Sequence, residues 1–261
     1  MTQSLILRES PEPGIVRLVF NRPDKLNALS AEMVAQFEAE LDAIAADRTV
    51  RVLILAGAGG KAFVAGADIA EYRGHRTAAF NAYQFTSRRV FDKLEALPQP
   101  TIAAIGGYAL GGGFEIALCC DILVCGQSAR LGLPEGTLGL SPGGGGTQRL
   151  TRAVGRYMAS DIMLAARRIT GERAYQLGLA AELVADADLA EAALARARAV
   201  LKVAPLAATE MKRLIRQGPD AALPTALAFE QEVLARLYGT EDGQEGIAAF
   251  LDKREPKFKG A

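Results

Sequence analysis

The stretch that decides the fold is TIAAIGGYALGGGFEIALCC, residues 101–120. It opens with TIAAI, a continuous apolar run of the kind found in buried strands. It then passes through three consecutive glycines, residues 111–113, into a helical pattern that continues to Cys120. Glycine loses more backbone entropy on folding than any other residue, so three together indicate a place where the bare backbone is needed. The stretch therefore predicts a strand, an accessible turn and a helix in succession.

The same alternation of strands and helices extends over most of the chain. A hairpin is predicted around the turn at residues 11–14, and a helix follows Ser30, which is placed as its N-cap. The apolar segments RVLILAG, DILVCG and ARLGL predict further strands, with AELVA as a candidate last strand. Alternating strands and helices are typical of α/β proteins, and we assign the chain to that class.

The final part of the chain is predicted to be helical throughout. Its segments PLAATEMKRLIRQ, PTALAFEQEVLARLYG and TEDGQEGIAAFLDKRE carry apolar stripes at helical spacing. Such stripes require a partner, either the core of the same chain or a second subunit. We therefore divide the chain into a core with the active site, residues 1–200, and a helical region for oligomerisation and pocket closure, residues 201–261.

Composition excludes several classes of protein. The 261 residues include 30 Lys and Arg and 30 Asp and Glu, so no overall charge favours nucleic acid or an anionic membrane. No apolar run approaches the roughly 18 residues of a membrane span, and the N-terminus lacks the pattern of a secretory signal. The three cysteines lack the spacing of metal ligands and indicate a reducing compartment. We expect a cytoplasmic protein without nucleic-acid or membrane partners.

The chain has a single histidine, His75, within the polar stretch YRGHRT. These surroundings are typical of a solvated loop, so we interpret His75 as a surface residue. Any proton transfer in an enzyme of this sequence is then expected to use carboxylates.

Three glycine motifs suggest functions that other residues contradict. Residues 57–62 match the dinucleotide fingerprint G-x-G-x-x-A, but FVAGAD is a poor helix start and no acidic residue follows at the required distance. Residues 139–143 match the nucleophile elbow G-x-S-x-G, but Pro142 has no N–H to donate and no histidine follows. Residues 143–147 lack the lysine of a phosphate-binding loop, so a tight connection into the next helix is the better interpretation.

Two loops of small residues are predicted to present free backbone N–H groups. A helix that begins near Gly112 leaves its first N–H groups without acceptors, and these groups form a natural anion site. A similar loop at residues 65–68 ends at Asp68, which we interpret as a helix cap. Glu115 and Glu135 each have two interpretations, as a charge that stabilises a helix N-terminus or as a catalytic group.

These residues belong to a set of motifs that together resemble the crotonase, or enoyl-CoA hydratase/isomerase, superfamily. The motifs are NRPDKLNALS, GKAFVAGADI, GGYALGGGFEIAL, LGLPEGTLGLSPGGGGTQRL and EGIAAFLDKREPKFKG. They occur in the family's order and cover nearly the whole chain, which makes the set far more specific than any single glycine motif. The resemblance implies a spiral of β-β-α units with a C-terminal helical region.

The resemblance also implies an activity and its residues. The backbone N–H groups of Ala67 and Gly112 would polarise the thioester carbonyl of an acyl-CoA. Glu115 would hold and deprotonate a water molecule, and Glu135 would protonate C2, as in the hydratases of fatty-acid β-oxidation. The acyl-CoA path would follow Lys25 and Leu26, then Ala65, Asp68 and Ile69, with Phe250 and Lys253 reaching CoA from the terminal helix, often of a neighbouring subunit.

Partners and alternatives follow from the same resemblance. We expect an acyl-CoA substrate, no separate cofactor, no metal, and a homotrimer or a dimer of trimers. Isomerases of the same fold usually use one carboxylate, so two glutamates favour hydration. The acyl group stays open between short, branched and dicarboxylic chains, as in dehydroadipyl-CoA or methylglutaconyl-CoA hydratases. An RNA-binding homologue has a lysine-rich helix, whereas AEMVAQFEAELDAIAAD is acidic, so we do not favour that function.

Overall fold

A computed structural model describes residues 4–74 and 76–261, so the prediction for His75 lies outside the described residues. The strands are β1 Ile6–Glu12, β2 Ile15–Phe20, β3 Val52–Gly57, β4 Ala62–Val64, β5 Thr101–Ile105, β6 Tyr108–Leu110, β7 Ile122–Gly126, β8 Arg130–Gly132, β9 Ile169–Thr170 and β10 Glu182–Val184. The α-helices are α1 Ala31–Ala46, α2 Thr77–Ala96, α3 Gly112–Leu118, α4 Gly146–Val154, α5 Arg156–Leu164, α6 Gly171–Gln176, α7 Leu189–Leu201, α8 Pro205–Gln217, α9 Leu223–Tyr238 and α10 Glu241–Leu251.

The strands form two sheets. The larger has the order β1-β2-β3-β5-β7-β10, and the smaller has the order β4-β6-β8-β9. Within the described residues, the pairs β1–β2 and β8–β9 are antiparallel, and the other pairs are parallel. Parallel neighbours require crossover connections, and helices between the strands provide them. The chain is thus of the predicted α/β class.

Three consecutive repeats build the centre of the molecule. Each repeat contributes one strand to the large sheet, one short strand to the small sheet and then a helix: β3-β4-α2, β5-β6-α3 and β7-β8-α4. Successive repeats add neighbouring strands to both sheets, so the chain advances as a coil. The expected spiral of β-β-α units is therefore confirmed.

The large sheet is buried on both faces. Along β3, Val52 and Ile54 pack towards α7, where Ala193 and Ala197 are buried in the same cluster. The alternate residues of β3 pack into the main core with α1, α2 and the small sheet. Side chains of successive strand residues point to opposite faces, so a doubly buried strand must be apolar throughout, as VLILAG in β3 is.

Most predicted elements are present, and the differences have local causes. Ser30 caps α1 as predicted, because its Oγ accepts a hydrogen bond from the Met33 amide at 3.1 Å. The strands β4, β6 and β9 were not predicted, since each has three residues or fewer and no periodicity can show. The helix after the triglycine ends at Leu118, with Cys119 as its C-cap, so Cys120 lies beyond it.

The C-terminal region is helical, as predicted, and α8 contacts the core. The Lys212 ammonium group is buried, donates to the Gln99 carbonyl at 3.0 Å and pairs with Asp121 at 2.8 Å. In contrast, α9 and α10 expose several large apolar side chains, among them Leu234, Phe250 and Leu251. The sequence analysis placed Lys253 within the terminal helix. In the structure, Lys253 lies after the end of α10. No helix in the described part of the chain combines the length and apolar composition that a bilayer crossing requires.

Candidate active site

Three loops meet at one edge of the small sheet. Strands β4, β6 and β8 are parallel neighbours, so their carboxyl ends lie side by side. Ala67 follows β4, Gly112 follows β6 and Glu135 follows β8, each within three residues of the strand end. In open α/β sheets, ligands bind beyond the carboxyl ends of the strands. The repeat thus brings Ala67, Gly112 and Glu135 together, although Ala67 and Gly112 are about 45 positions apart in sequence and Gly112 and Glu135 about 23.

The first loop holds the Ala67 N–H group free. Leu29 donates to the Gly66 carbonyl at 2.8 Å and accepts from the Asp68 amide at 2.8 Å, so the peptide groups on both sides of Ala67 are paired. Among the described residues, none accepts a hydrogen bond from the Ala67 N–H group itself. The Asp68 carboxylate accepts from the Ala70 amide at 3.2 Å and pairs with Arg22 at 2.6 Å, as a cap would.

The second loop places a further free donor beside the first. Gly112 is the first residue of α3, so its N–H group has no acceptor within the helix. A side-chain atom placed on Gly112 would lie 4.0 Å from the Ala67 nitrogen, which puts the two amides in one small region. Two adjacent amide N–H groups can both donate hydrogen bonds to one oxygen that becomes negatively charged.

Glu115 lies on α3 and is held by backbone amides. Its side chain is buried, with the residue only 4 % exposed. Its Oε1 accepts hydrogen bonds from the Gly144 and Gly146 amides, both at 2.8 Å. Burial raises the pKa of Glu115, and the two amides together with the charges of Arg149 and Arg88 oppose that rise. The carboxylate is therefore fixed in direction and keeps Oε2 as a second acceptor.

The glycine run at residues 143–146 is the part of the site that the sequence analysis missed. We interpreted it as a tight connection into a helix, and α4 does begin at Gly146. The structure adds that this connection wraps the Glu115 carboxylate. A Cβ on Gly144 would lie 2.6 Å from Glu115 Oε2 and 2.5 Å from the Phe91 ring, so no larger residue fits there. The glycine run is needed because it lets the backbone of residues 143–146 approach the Glu115 carboxylate closely.

Glu135 opens a 3-10 turn directly after β8. Its Oε2 is buried and has no hydrogen-bond partner among the described residues. Burial raises the pKa of Glu135 to about 7, and the negative charge of Glu115 contributes to that rise. Its Oε1 faces the second loop, 3.2 Å from where a Cβ on Gly111 would be. A carboxyl group with its pKa raised towards neutrality has a protonated form that can donate a proton.

All four predicted catalytic positions line one cavity of about 350 Å³. The wall also includes Ala65 and Ile69 from the predicted acyl-CoA path. Further lining residues come from α2 and its preceding turn and from the loop after β8: Tyr72, Phe80, Asn81, Tyr83, Gln84, Ser87, Phe91, Leu138, Leu140 and Ser141. The volume is that of a small-molecule site.

The other predicted CoA contacts lie outside this wall. Lys25 and Leu26 form the end of a 3-10 turn after β2, and both are exposed. Asp68 is engaged with Arg22 and is not part of the wall. Phe250 is 83 % exposed on α10 and does not line the cavity. Their role in CoA binding stays a prediction.

The arrangement combines an anion site with acid–base groups. Two free amides can stabilise a developing oxyanion, and two carboxyl groups in unlike environments can divide the roles of base and acid. No cluster of His, Cys, Asp and Glu suited to a metal occurs within residues 4–74 and 76–261. The residues present match chemistry at a carbonyl group with proton transfer nearby.

The chain belongs to the enoyl-CoA hydratase/isomerase family, whose model matches residues 11–261. It is 41 % identical to the 2,3-dehydroadipyl-CoA hydratase of Escherichia coli (strain K12), over 96 % of this chain and 97 % of that protein. It is 39 % identical to the short-chain-enoyl-CoA hydratase of Clostridium acetobutylicum, over 97 % and 96 %. The fold superposes on the crystal structure of enoyl-CoA hydratase from Bacillus anthracis with a TM-score of 0.96 at 37 % identity, covering 99 % and 100 % of the two chains.

These findings confirm the predicted crotonase fold and the predicted family. The family and the names of its members indicate an enzyme of the hydro-lyase class. The roles of individual residues, the acyl group and the oligomeric state remain predictions.

Proposed function

We propose that the protein adds water reversibly across the C2–C3 double bond of a 2-enoyl-CoA to give a 3-hydroxyacyl-CoA. The observation that carries the proposal is the pair of glutamates in one cavity, one clamped by two amides and one with a pKa of about 7. The similarity to two proteins named as hydratases supports it. Turnover of crotonyl-CoA by the purified protein, followed as loss of the enoyl-thioester absorbance, tests it.

The proposed mechanism assigns one task to each group. The thioester oxygen accepts hydrogen bonds from the Ala67 and Gly112 amides. Glu115 removes a proton from water as its oxygen bonds to C3, and the π electrons move into an enolate whose charge the two amides stabilise. Glu135 then transfers its proton to C2. Proton exchange with solvent restores both carboxyl groups, and dehydration follows the same steps in reverse.

CoA is proposed to approach along the exposed turn at Lys25 and Leu26. Ala65 and Ile69 would line the pantetheine path into the cavity. The exposure of Phe250 and the position of Lys253 on the surface are consistent with contacts to CoA on a neighbouring subunit. We therefore keep the homotrimer, or dimer of trimers, as part of the proposal.

The pH dependence of hydration is expected to be bell-shaped. Glu135 must be protonated to act as the acid, so kcat/KM should fall as pH rises through about 7. Glu115 must be ionised to act as the base, so kcat/KM should also fall as pH drops through its raised pKa. Initial rates with crotonyl-CoA between about pH 5 and pH 9 check both limbs. A flat profile over that interval would contradict the assignment.

An uncharged short acyl chain is the preferred substrate class. Phe80, Leu138 and Leu140 give the wall an apolar part, and the ionised Glu115 adds negative charge. A terminal carboxylate would have to leave water for these surroundings, which is unfavourable. We expect kcat/KM for crotonyl-CoA to exceed that for 2,3-dehydroadipyl-CoA by about tenfold or more. Equal or reversed values would place the protein with the dicarboxylate hydratases.

An isomerase that shifts the double bond is the alternative on the same fold. The second glutamate favours hydration, since proton shuttling alone needs one carboxylate. Product analysis in deuterated water separates the two, because hydration yields a 3-hydroxyacyl thioester and isomerisation yields a labelled enoyl thioester.

A further inference from the structure

Arg149 lies on α4 behind the glycine run and outside the cavity wall. Its Nε and Nη2 donate to the two oxygens of Glu95 on α2, at 2.9 and 2.7 Å. Nη2 also pairs with Asp92 at 3.1 Å. The Arg149 side chain is only 13 % exposed, so this is a largely buried, two-point ion pair. Planar pairs of this kind hold a guanidinium in one orientation.

The third contact of Arg149 is with the loop that holds Glu115. Its Nη1 donates to the Gly144 carbonyl at 2.7 Å. The guanidinium also covers Gly145, whose φ of 104° and missing side chain permit that contact. The amides before and after this segment, those of Gly144 and Gly146, donate to Glu115. The Arg149 side chain therefore binds the loop from one side, and the loop amides bind the Glu115 carboxylate on the other side.

We propose that Arg149 is a positioning residue for the reaction: anchored by Glu95, it fixes the 143–146 loop and through it the direction of the Glu115 carboxylate. The inference rests on the proposed role of Glu115 as the base. Misplacing a reacting group by about 1 Å can cost about 100-fold in rate, so a residue that never touches substrate can act strongly on kcat.

The same arrangement affects the charge state of Glu115. Positive groups face it from two helices, Arg149 on α4 and Arg88 on α2, and both favour the ionised form. The negative and neutral titratable groups around this centre are Asp92 and Glu95 on α2, Cys119 after α3, and Glu135. Removing Arg149 leaves Glu95 without its ion-pair partner, whereas Asp92 keeps its pair with Arg88 at 2.8 Å, and it loosens the amide clamp. Each change favours protonated Glu115, so the acid limb of the rate profile should move to higher pH.

The test uses Arg149→Gln and Arg149→Lys in the full-length protein with crotonyl-CoA. We expect Arg149→Gln to lower kcat by about 10- to 100-fold, to change KM by less than about threefold, and to move the acid limb upward. Arg149→Lys keeps the charge but loses the two-point pair, so it should restore part of kcat and most of the pH profile.

Two matched controls separate positioning from loss of charge. Arg152→Gln removes a cation from the same helix, where Arg152 is exposed and pairs with Asp220 at 3.3 Å, and should retain wild-type kinetics. Arg88→Gln removes the other positive charge near Glu115, and Arg88, unlike Arg149, makes no hydrogen bond to Gly144. This variant should move the low-pH limb of the rate profile slightly while keeping the plateau kcat. A folded Arg149→Gln with wild-type kcat and acid limb overturns the proposal. If that variant does not fold, a wild-type result for Arg149→Lys overturns it.

A second measurement does not depend on turnover. In protein labelled with ¹³C at glutamate side chains, the Glu115 carboxyl resonance is identified by its loss in Glu115→Gln. Its titration midpoint should be higher in Arg149→Gln than in wild type, and an unchanged midpoint contradicts the positioning role. Failure of the wild-type protein to hydrate crotonyl-CoA would instead count against the proposed function.

Discussion

Replacing Glu135 by glutamine is expected to lower kcat for hydration of crotonyl-CoA by about 100- to 10,000-fold, the usual contribution of a general acid. Glutamine has nearly the same shape, but its amide does not transfer a proton at neutral pH. The Glu135 Oε2 has no partner among the described residues, so little of the surrounding structure depends on it. The loss should therefore appear in catalysis and leave acyl-CoA binding intact.

Persistence of the enoyl-thioester absorbance measures this loss, and calorimetric titration with a saturated acyl-CoA measures binding. Glu172→Gln is the matched control, because Glu172 is an exposed glutamate in the first turn of α6, away from the cavity. That variant should hydrate at the wild-type rate. Unchanged turnover in Glu135→Gln would remove Glu135 from the mechanism.

Glu115→Gln is expected to reduce hydration to a similar degree for a different reason. The glutamine Oε1 can still accept hydrogen bonds from the Gly144 and Gly146 amides, so the loop should keep its conformation. What disappears is the basic oxygen that, in the proposed mechanism, removes the proton from water. We expect a loss of about 100- to 10,000-fold in kcat with a thermal unfolding midpoint close to that of wild type.

Rapid-quench measurement of a single turnover, alongside circular dichroism melting, checks this expectation. Glu182→Gln serves as its control, since Glu182 is a partly exposed glutamate in β10 that pairs with Arg196 at 2.7 Å. A Glu115→Gln protein that hydrates normally would show that the base lies elsewhere. A large fall in the melting midpoint would instead show that the amide clamp needs the full negative charge.

Local pattern was enough to predict much of the fold. The cap at Ser30 and the apolar strand RVLILAG depend on neighbouring residues, and both are present as predicted. Of the small sheet, β8 was predicted from ARLGL, whereas β4, β6 and β9 were missed because three residues or fewer carry no periodicity and their pairing is non-local. The triglycine indicated free amides correctly because a helix start is itself a local feature.

The support of the site was harder to predict than the residues that line the cavity. Glu115 is held by amides about 30 residues away in sequence, and backbone donors leave no trace in residue type. The glycines at 143–146 were visible, but what they surround was not. Arg149 and Glu95 are 54 residues apart in sequence, and their ion pair joins α4 to α2. Taken alone, each residue is typical of an ordinary helical surface. Only the folded chain shows that the two are connected through the loop.

The coiled repeat has a consequence for how such a protein can change its chemistry. Each of three successive turns contributes one loop to the site: the first carries Ala67, the second carries Gly112 and Glu115, and the third carries Glu135. In the proposed mechanism, recognition of the thioester depends on the first two turns, whereas the proton donor comes from the third. A substitution in the third turn can thus replace the final protonation step while the carbonyl is still held, so related reactions can diverge from one ancestral coil by exchanging a single loop.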